Sequence, residues 1–311
     1  MEVIIGIDIG GTNTKYGILK KNGFILYENK VSTNKFKLLK DFINYLTIEL
    51  NIELKKIKYF KLLGIGIGAP NANYYSGCIE NAPNLIWKGK IELKKLFQEK
   101  FNVPIIITND ANAAALGEMH FGSAKNIKNF VMITIGTGLG SGIVSNGEVI
   151  YGHDGFAGEL GHTTVVNNGR NCNCGRKGCL ETYVSSRGIT ETYNELSLNS
   201  KFNYNKILTS EEIFNKAKNN NPIAIKTFDK TADILGYSLS NLVAITSPQI
   251  IVLYGGVAES GDLLIKPTKK YMEKYLLDIF KNKTNIVKSK LNKYNGALLG
   301  ASSLVLNEIQ S

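Results

Sequence analysis

The sequence contains no long apolar run. No stretch approaches the roughly 18–20 consecutive apolar residues that a membrane-spanning helix needs. The first residues, MEVIIGIDIGGT, have neither a basic region nor a cleavage site of small residues, and this argues against a secretory signal peptide. We therefore expect a cytoplasmic protein with no membrane partner.

Arginine is rare, although the net charge is +11. Arg170, Arg176 and Arg187 are the only three, and the remaining positive charge comes from lysines distributed among asparagines and isoleucines. Sequence-specific contacts to bases favour arginine. We therefore expect no nucleic-acid partner.

Cysteine is also scarce. The chain of 311 residues has four cysteines, three of them close together, which is not the pattern of a secreted disulfide-rich domain. Its length exceeds what one hydrophobic core usually organises, and 43% hydrophobic with 20% charged residues is typical of a globular protein. Two domains are expected.

Two segments share one pattern. VIIGIDIGGTNTKYGILKKNGFIL (3–26) and NFVMITIGTGLGSGIVSNGEVI (129–150) each combine a strand, a turn rich in Gly and Thr, a second strand, an Asn-Gly pair and a third strand. This repeat predicts two similar α/β domains that face each other across a ligand cleft. We place them at 1–118 and 119–295, with a final helix, 296–311, packing back onto the first. Helical spacing predicts a helix from Asn34 to about Asn51.

The two repeated turns have the composition of phosphate sites. They are Asp8-Ile9-Gly10-Gly11-Thr12 and Gly136-Thr137-Gly138-Leu139-Gly140, and glycine lets several backbone N–H groups point at one anion. Neither is followed by the Gly-Lys-Ser/Thr of a Walker A loop. Asp8 beside such a turn would suit hydrated Mg²⁺, and the alternative is an aspartate that only stabilises the turn.

Four metal-binding side chains lie close together in sequence: His162, Cys172, Cys174 and Cys179. Three thiolates and one imidazole suit tetrahedral Zn²⁺, and four protein ligands leave no open position, which indicates a structural site. The alternatives are a redox pair, a nucleic-acid finger and buried free thiols, and the spacing does not fit the first two. Cys78 is distant in sequence and is interpreted as a buried or incidental thiol.

Asp110 lies between an apolar strand, IIIT, and an Ala-rich helix. An aspartate at this place is either a helix N-cap or a carboxylate that accepts a proton during phosphoryl transfer. The local sequence favours the cap.

Together the motifs resemble those of the ROK family (repressors, open reading frames and kinases), which has the actin, hexokinase and heat-shock-chaperone fold. The resemblance covers essentially the whole chain. The motifs in order are DIGGT (8–12), GIGAPN (66–71), NAPNLIW (81–87), NDANAAALGE (109–118), TIGTGLGSGI (134–143), GELGH (158–162), CNCGRKGCLE (172–181) and LYGGV (253–257). The implied fold is α/β with two duplicated actin/hexokinase-like, ribonuclease H-like domains.

The resemblance also implies roles for individual residues. It makes Asp110 the general base and the loop 162–181 a structural zinc loop whose histidine also reaches the sugar. The implied sugar ligands are Asn84, Asn109, Asp110, Glu159, His162 and Glu181. The implied ATP and Mg²⁺ residues are Asp8, Gly10, Gly11, Thr12, Thr137, Gly138, Gly255 and Gly256, the last two near the adenosine.

The function implied is an ATP- and Mg²⁺-dependent hexose kinase of glycolysis, with glucokinase favoured because the Cys-x-Cys-Gly form resembles that branch and not the fructokinases. The alternatives are an N-acetylmannosamine or N-acetylglucosamine kinase and, more remotely, a sugar-sensing repressor. Repressors have a helix-turn-helix segment ahead of the kinase-like body, whereas DIGGT here begins at residue 8. We therefore expect a kinase and not a repressor. The family resemblance further implies a homodimer or homotetramer.

Overall fold

The computed structural model describes residues 1–198, 208–291 and 296–310. The strands are β1 (Glu2–Ile9), β2 (Asn13–Lys20), β3 (Ile25–Ser32), β4 (Lys61–Gly68), β5 (Ile79–Glu80), β6 (Lys90–Ile91), β7 (Ile105–Thr108), β8 (Phe130–Ile135), β9 (Leu139–Ser145), β10 (Glu148–Val149), β11 (Ile250–Tyr254) and β12 (Asn285–Lys288). The α-helices are α1 (Leu39–Lys56), α2 (Leu93–Gln98), α3 (Asp110–Phe121), α4 (Ser186–Leu198), α5 (Ser210–Lys218), α6 (Pro222–Thr246), α7 (Asp262–Tyr275) and α8 (Gly296–Gln310).

The chain divides into two compact units. The first comprises Met1–Asn126, Val149–Ala157 and Lys290–Ser311, and the second comprises Ile127–Glu148 and Gly158–Ser289. Each has its own five-stranded sheet and its own apolar core.

The two sheets have the same strand order. The first is β3-β2-β1-β4-β7 and the second β10-β9-β8-β11-β12, so that each runs third, second, first, fourth, fifth in chain order. In both sheets the first strand in chain order pairs with the second in antiparallel orientation and with the fourth in parallel orientation. The fourth strand in turn pairs with the fifth in parallel orientation. The duplicated α/β architecture predicted from the two glycine-rich turns is therefore present in the sheet topology.

One face of the first sheet is apolar and packs against α1, whereas glycines on the other face admit α8. A Cβ atom at Gly66 would lie 1.8 Å from the carbonyl oxygen of Ala301, and one at Gly64 would lie 3.0 Å from a methyl carbon of Val305. Any larger residue would push α8 away from the strands. The alternating glycines of KLLGIGIG thus set the distance between sheet and helix.

Helix α1 begins at Leu39, and the prediction that it starts at Asn34 is wrong. A 3₁₀ turn, Thr33–Lys35, comes first, and the extended Phe36 follows it. The Phe36 ring packs 5.6 Å from the ring of Phe42 and 5.1 Å from that of Tyr45. Phe36 therefore contributes to the same apolar face from outside the helix, which is why its spacing looked helical.

The core of the second unit is built on the long helix α6. Asn221 caps its start by accepting a hydrogen bond from the N–H of Ala224 (3.0 Å), and Ser247 ends it in the left-handed conformation. Gly236 lets α7 approach, because a Cβ there would lie 2.7 Å from the backbone nitrogen of Met272. Within the described ranges, no helix is long and apolar enough to cross a bilayer.

Candidate functional site

The first glycine-rich turn follows β1 and is fixed by backbone and hydroxyl hydrogen bonds. The N–H of Gly10 donates to the carbonyl of Asn13 (3.0 Å), and the Thr33 hydroxyl donates to the carbonyl of Gly10 (2.8 Å). The N–H of Thr33 donates to the carbonyl of Thr12 (2.9 Å). Neutral groups of β2 and of the 3₁₀ turn Thr33–Lys35 thus hold this turn in place.

Asn84 lies beside this turn. A Cβ atom at Gly11 would lie 2.4 Å from the backbone oxygen of Asn84, so only glycine fits at that position. The Asn84 side chain is exposed. The structure therefore brings a predicted sugar ligand next to a predicted phosphate-binding residue.

Asp8 and Asp110 flank Gly68 at the end of β4. The position of a Cβ at Gly68 is 3.7 Å from Oδ1 of Asp8 and 3.6 Å from the Cα of Asp110. Burial, and then the negative charge of Asp110, raise the pKa of Asp8 to about 7, with a smaller opposing effect from Lys15. Burial also raises the pKa of Asp110, although its side chain keeps solvent contact, and hydrogen bonds from the backbone N–H groups of Ala111 and of Asp110 itself oppose this. Two carboxyls with raised pKa values in one place are typical of a functional site.

Asn109, and not Asp110, is the N-cap of α3. Its Oδ1 accepts the N–H of Ala111 at 2.8 Å, and Asp110, the first helical residue, accepts the same N–H at 2.9 Å. The capping function that the local sequence favoured for Asp110 is therefore provided mainly by its neighbour.

The second glycine-rich turn joins β8 to β9. Its Gly136 N–H donates to the carbonyl of Gly138 (2.9 Å), and its Gly140 N–H donates to the hydroxyl of Thr134 (3.2 Å). Thr137, between them, is exposed. The N–H of Leu139 donates to Oε2 of Glu181 at 3.0 Å, a contact from outside the turn that the sequence did not predict.

Gly255 and Gly256 lie beside the same end of β8. Gly255 has φ +99°, and a Cβ there would lie 2.5 Å from the carbonyl oxygen of Ile135, so both backbone conformation and space require glycine. The N–H of Val257 donates to the same carbonyl (3.1 Å). These contacts place the two predicted nucleotide segments of this unit against each other.

A cavity of about 370 Å³ opens next to Gly256. It is lined by Ser186, Ile189, Ser210, Glu211, Phe214, Phe228, Val257, Glu259 and Ser260 as well. Apart from the glycine, the sequence did not reveal these residues, because apolar positions on amphipathic helices look like ordinary core. Its size and aromatic walls fit a planar heterocycle.

The four predicted metal ligands form one cluster. The ligand atoms of His162, Cys172, Cys174 and Cys179 all lie within 4.8 Å of one another. The Cys172 Sγ to His162 Nδ1 distance is 3.6 Å and the Cys174 Sγ to Cys179 Sγ distance is 3.7 Å. With Zn–S bonds of roughly 2.3 Å, the edge of a tetrahedral site is about 3.8 Å. The geometry fits one tetrahedral metal ion. The three cysteines of the cluster form no disulfide, and neither does Cys78.

Burial distinguishes the ligands from one another. Cys172 and Cys179 are buried, whereas Cys174 is exposed. Burial raises the pKa of Cys179 to about 12, so this thiol needs a cation beside it to become a thiolate at neutral pH. Cys78 is buried in the other unit and belongs to no such cluster within the described part of the chain.

Two arginines attach this loop to its surroundings and Arg176 bonds within it, roles that sequence reasoning missed. Arg170 donates to the carbonyls of Thr182 (2.8 Å) and Gly188 (3.1 Å), and its guanidinium lies 4.6 Å from the ring centre of Tyr183. Arg176 donates to the hydroxyl of Thr164 at 3.2 Å. From α4, Nη1 of Arg187 donates to Oδ1 of Asn173 in the loop at 3.4 Å. Arg187 also pairs with a glutamate of α4 at 2.8 Å.

Within each unit the predicted residues are neighbours. The first unit contains Asp8, Gly10, Gly11, Thr12, Asn84, Asn109 and Asp110, around the ends of β1 and β4. In the second, the N–H of His162 donates to the carbonyl of Glu159 (3.1 Å), and Oε1 of Glu181 lies 3.9 Å from Sγ of Cys172. Three predicted sugar ligands of that unit thus meet at the metal cluster.

The chain is similar to known proteins over nearly its whole length. The ROK family model matches residues 4–308. A glucokinase of Halalkalibacterium halodurans is 37% identical over 288 residues, 88% of this chain and 86% of its own length. The xylose repressor of Bacillus subtilis is 31% identical over 305 residues, 97% of this chain and 77% of its own.

Among solved structures, a ROK family glucokinase from Streptomyces griseus in complex with glucose and AMPPNP has a TM-score of 0.79. It is 28% identical, and the match covers 97% of this chain and 98% of that one. The family resemblance and the fold class predicted from the sequence are confirmed.

Proposed function

This chain belongs to the ROK family, and on that basis we propose that it is an ATP-dependent hexose kinase that transfers the γ-phosphoryl group to the 6-hydroxyl of glucose. The observation that supports this most strongly is the position of Asp110 at the start of α3, with Asp8 beside it.

Asp110 is proposed as the general base. Its carboxylate would accept the proton of the sugar 6-hydroxyl while the oxygen forms a bond to the γ-phosphorus and ADP leaves. Its raised pKa makes it a better proton acceptor than an ordinary aspartate once it is ionised. Because Asn109 caps α3, the Asp110 carboxylate is available for this reaction.

Asp8 is proposed to hold Mg²⁺, through water or directly. The bound ion would neutralise phosphate charge during transfer. A carboxyl with a pKa of about 7 is only partly ionised at neutral pH, and a cation beside it would favour the ionised form. Gly10, Gly11 and Thr12 would offer N–H and hydroxyl donors to phosphate oxygens.

The second unit is proposed to bind the rest of the nucleotide. Thr137 and Gly138 belong to a turn of the composition that phosphates need, and Gly255 and Gly256 border the cavity of about 370 Å³. The aromatic rings of Phe214 and Phe228 in its wall would pack against adenine.

Zn²⁺ is proposed for the cluster at His162, Cys172, Cys174 and Cys179, where it would be structural. Its four ligands fill a tetrahedral shell, so the ion would fix the loop and contribute nothing at the reacting atoms. Glu159, His162 and Glu181 would then present fixed polar groups to sugar hydroxyls. Asn84 and Asn109 are proposed as the sugar ligands of the first unit.

The test is ADP release measured by a coupled assay over glucose, mannose, fructose and the N-acetylhexosamines. We expect turnover with glucose, at the highest kcat/KM of the series. Turnover with none of these sugars would overturn the proposal, and a preference for an N-acetylhexosamine would favour the alternative of an N-acetylmannosamine or N-acetylglucosamine kinase.

A sugar-sensing repressor without kinase activity is the second candidate, because the similarity to the xylose repressor extends over 97% of this chain. Such a protein would bind sugar and release no ADP, so the same assay separates the two. A cytoplasmic location and a homodimer or homotetramer stay predictions, the second to be checked by light scattering.

A further inference from the structure

Glu181 touches the phosphate-binding turn more closely than it touches anything else in the described residues. Its Oε2 accepts the N–H of Leu139 at 3.0 Å. The position of a Cβ at Gly138 is 2.3 Å from the same oxygen. The carboxylate therefore lies directly against the backbone of the turn Gly136–Gly140.

Position 138 requires glycine because the Glu181 carboxylate lies against it, and not because of the backbone conformation there. Its φ lies outside the left-handed region, so an alanine would have no backbone strain there. The three nearest atoms that a Cβ would meet all belong to the Glu181 side chain. The glycine of this turn is thus complementary to a side chain 43 positions later in the sequence.

The other carboxylate oxygen of Glu181 contacts the metal loop, the segment 162–181 that contains the four-residue metal cluster. Its Oε1 lies 3.9 Å from Sγ of Cys172, and Cys179 precedes it by two residues. Next to it, the N–H of Leu180 donates to the carbonyl of Thr163 at 2.9 Å. A second link follows five residues on, where the N–H of Ser186 donates to the carbonyl of Gly136 at 2.8 Å.

From these contacts we propose that Glu181 is a positioning residue for the nucleotide: it holds the turn Gly136–Gly140 in its phosphate-binding shape, and the metal loop holds Glu181. The proposal rests on the kinase function proposed above. It adds that the metal cluster controls affinity for the phosphate donor even when no sugar is present. The first unit has a different device, since the hydroxyl of Thr33, in the 3₁₀ turn after β3, holds its turn.

The experiment measures the Kd of Mg·AMPPNP by titration calorimetry, with no sugar present. Glu181→Ala is expected to weaken binding about tenfold or more, since a charge-assisted hydrogen bond is lost from the turn. Glu181→Gln, which keeps an acceptor oxygen, should recover part of that loss. The control is Glu148→Gln, an exposed glutamate of the same unit on β10, which should bind as the unaltered protein does.

A double-mutant cycle tests the contact without touching the metal. Gly138→Ala alone should weaken AMPPNP binding, because its methyl group displaces the carboxylate and the turn. In the Glu181→Ala background the same methyl has room, so Gly138→Ala should cost little more. Full additivity of the two effects would overturn the proposal.

Removing the metal with a chelator completes the test. Chelation should weaken AMPPNP binding in the unaltered protein and have a much smaller effect in Glu181→Ala. Equal Kd values for the unaltered protein and Glu181→Ala would refute the positioning role while leaving the kinase intact. Failure of the unaltered protein to bind AMPPNP at all would instead count against the proposed kinase function.

Discussion

The two glycine-rich turns occupy the same place in two sheets of the same strand order, yet their chemistry differs. Alignment of IDIGGT with ITIGTG puts Thr134 where the first unit has Asp8. Across the hairpin, Asp8 pairs with Lys15, whereas Thr134 pairs with Gly140. The first position is ionisable with a pKa raised to about 7, and the second is a neutral hydroxyl that accepts the Gly140 N–H.

This difference shows how a repeated scaffold is given two functions. Sheet topology decides where each turn lies, because strand order is shared, whereas the first turn is one residue longer: Ile9 pairs with Thr14, and Ile135 with Leu139. On the roles proposed above, a single side chain at the end of the first strand would decide whether the turn favours a cation beside the phosphates or only the phosphates themselves. The support also differs: Thr33 holds the first turn, and Glu181 of the metal loop holds the second.

The largest effect is expected from Asp110→Asn, which removes the proposed proton acceptor of the first unit. General-base loss lowers rates by roughly 10²–10⁴-fold, and we expect kcat to fall about 1000-fold with the sugar Kd nearly unchanged. Steady-state kinetics and calorimetric sugar titration measure both. Asp41→Asn, an exposed aspartate of α1, is the matched control. Near-normal turnover in Asp110→Asn would show that this carboxylate of the first unit is not the base.

Asp8→Asn comes next and tests the contrast directly. We expect about 100-fold lower activity and a weaker dependence on Mg²⁺, because the cation loses its carboxylate. Thr134→Ser, the control at the equivalent position, keeps a hydroxyl and should retain most activity. Equal losses in the two variants would contradict a division of labour between the turns.

The Asp8→Asn variant should also be more stable than the unaltered protein at pH 8. The Asp8 carboxyl has a pKa of about 7 when folded, against an ordinary value of 3.8. Between these pH values the folded state binds the extra proton, so the free energy of unfolding falls as pH rises. Asparagine cannot ionise, and the variant should gain a few kcal/mol at pH 8, up to about 4 kcal/mol for the full shift, with little gain at pH 4. Denaturant unfolding without Mg²⁺ at both pH values measures this.

The sequence was sufficient for the fold and for the polar residues at strand ends. Periodicity and Asn-Gly pairs located the duplicated hairpins, and the 162–179 spacing identified all four members of the metal cluster. Such signals are local, because a turn or a metal loop needs specific residue types at short range.

Contacts between distant segments could not be predicted in the same way. The cavity beside Gly256 is assembled from several helices, and its phenylalanines have the spacing of ordinary core residues. The contact between Glu181 and Gly138 joins residues far apart in sequence, and a lone glycine or glutamate gives no sign of its partner. The prediction of where α1 begins was wrong for a related reason, because Phe36 packs with the apolar face of the helix although it lies outside the helix.

Loss of the metal should affect the second turn and leave the first unchanged. Cys174→Ala removes the exposed ligand, and we expect loss of bound zinc, sugar binding weakened about tenfold, and faster amide exchange at 136–140 but not at 10–14. Elemental analysis, calorimetry and hydrogen exchange measure the three effects. Cys78→Ala, in the other unit, should keep its zinc. A zinc-free variant with normal sugar affinity would show that the loop needs no metal to present its ligands.

The smallest effect is expected from Arg170→Lys, which tests whether the metal loop depends on its attachment to α4. The guanidinium of Arg170 donates to Thr182, Gly188 and Thr192 at once, an arrangement that an ammonium group cannot reproduce. We expect the free energy of unfolding to fall by about 2 kcal/mol. Arg176→Lys is the control: Arg176 is exposed and makes one such bond, so the change should cost under about 0.5 kcal/mol. Equal losses in denaturant unfolding would mean that the metal alone holds the loop, and the second turn would then depend on the ion and not on the attachment of the loop to α4.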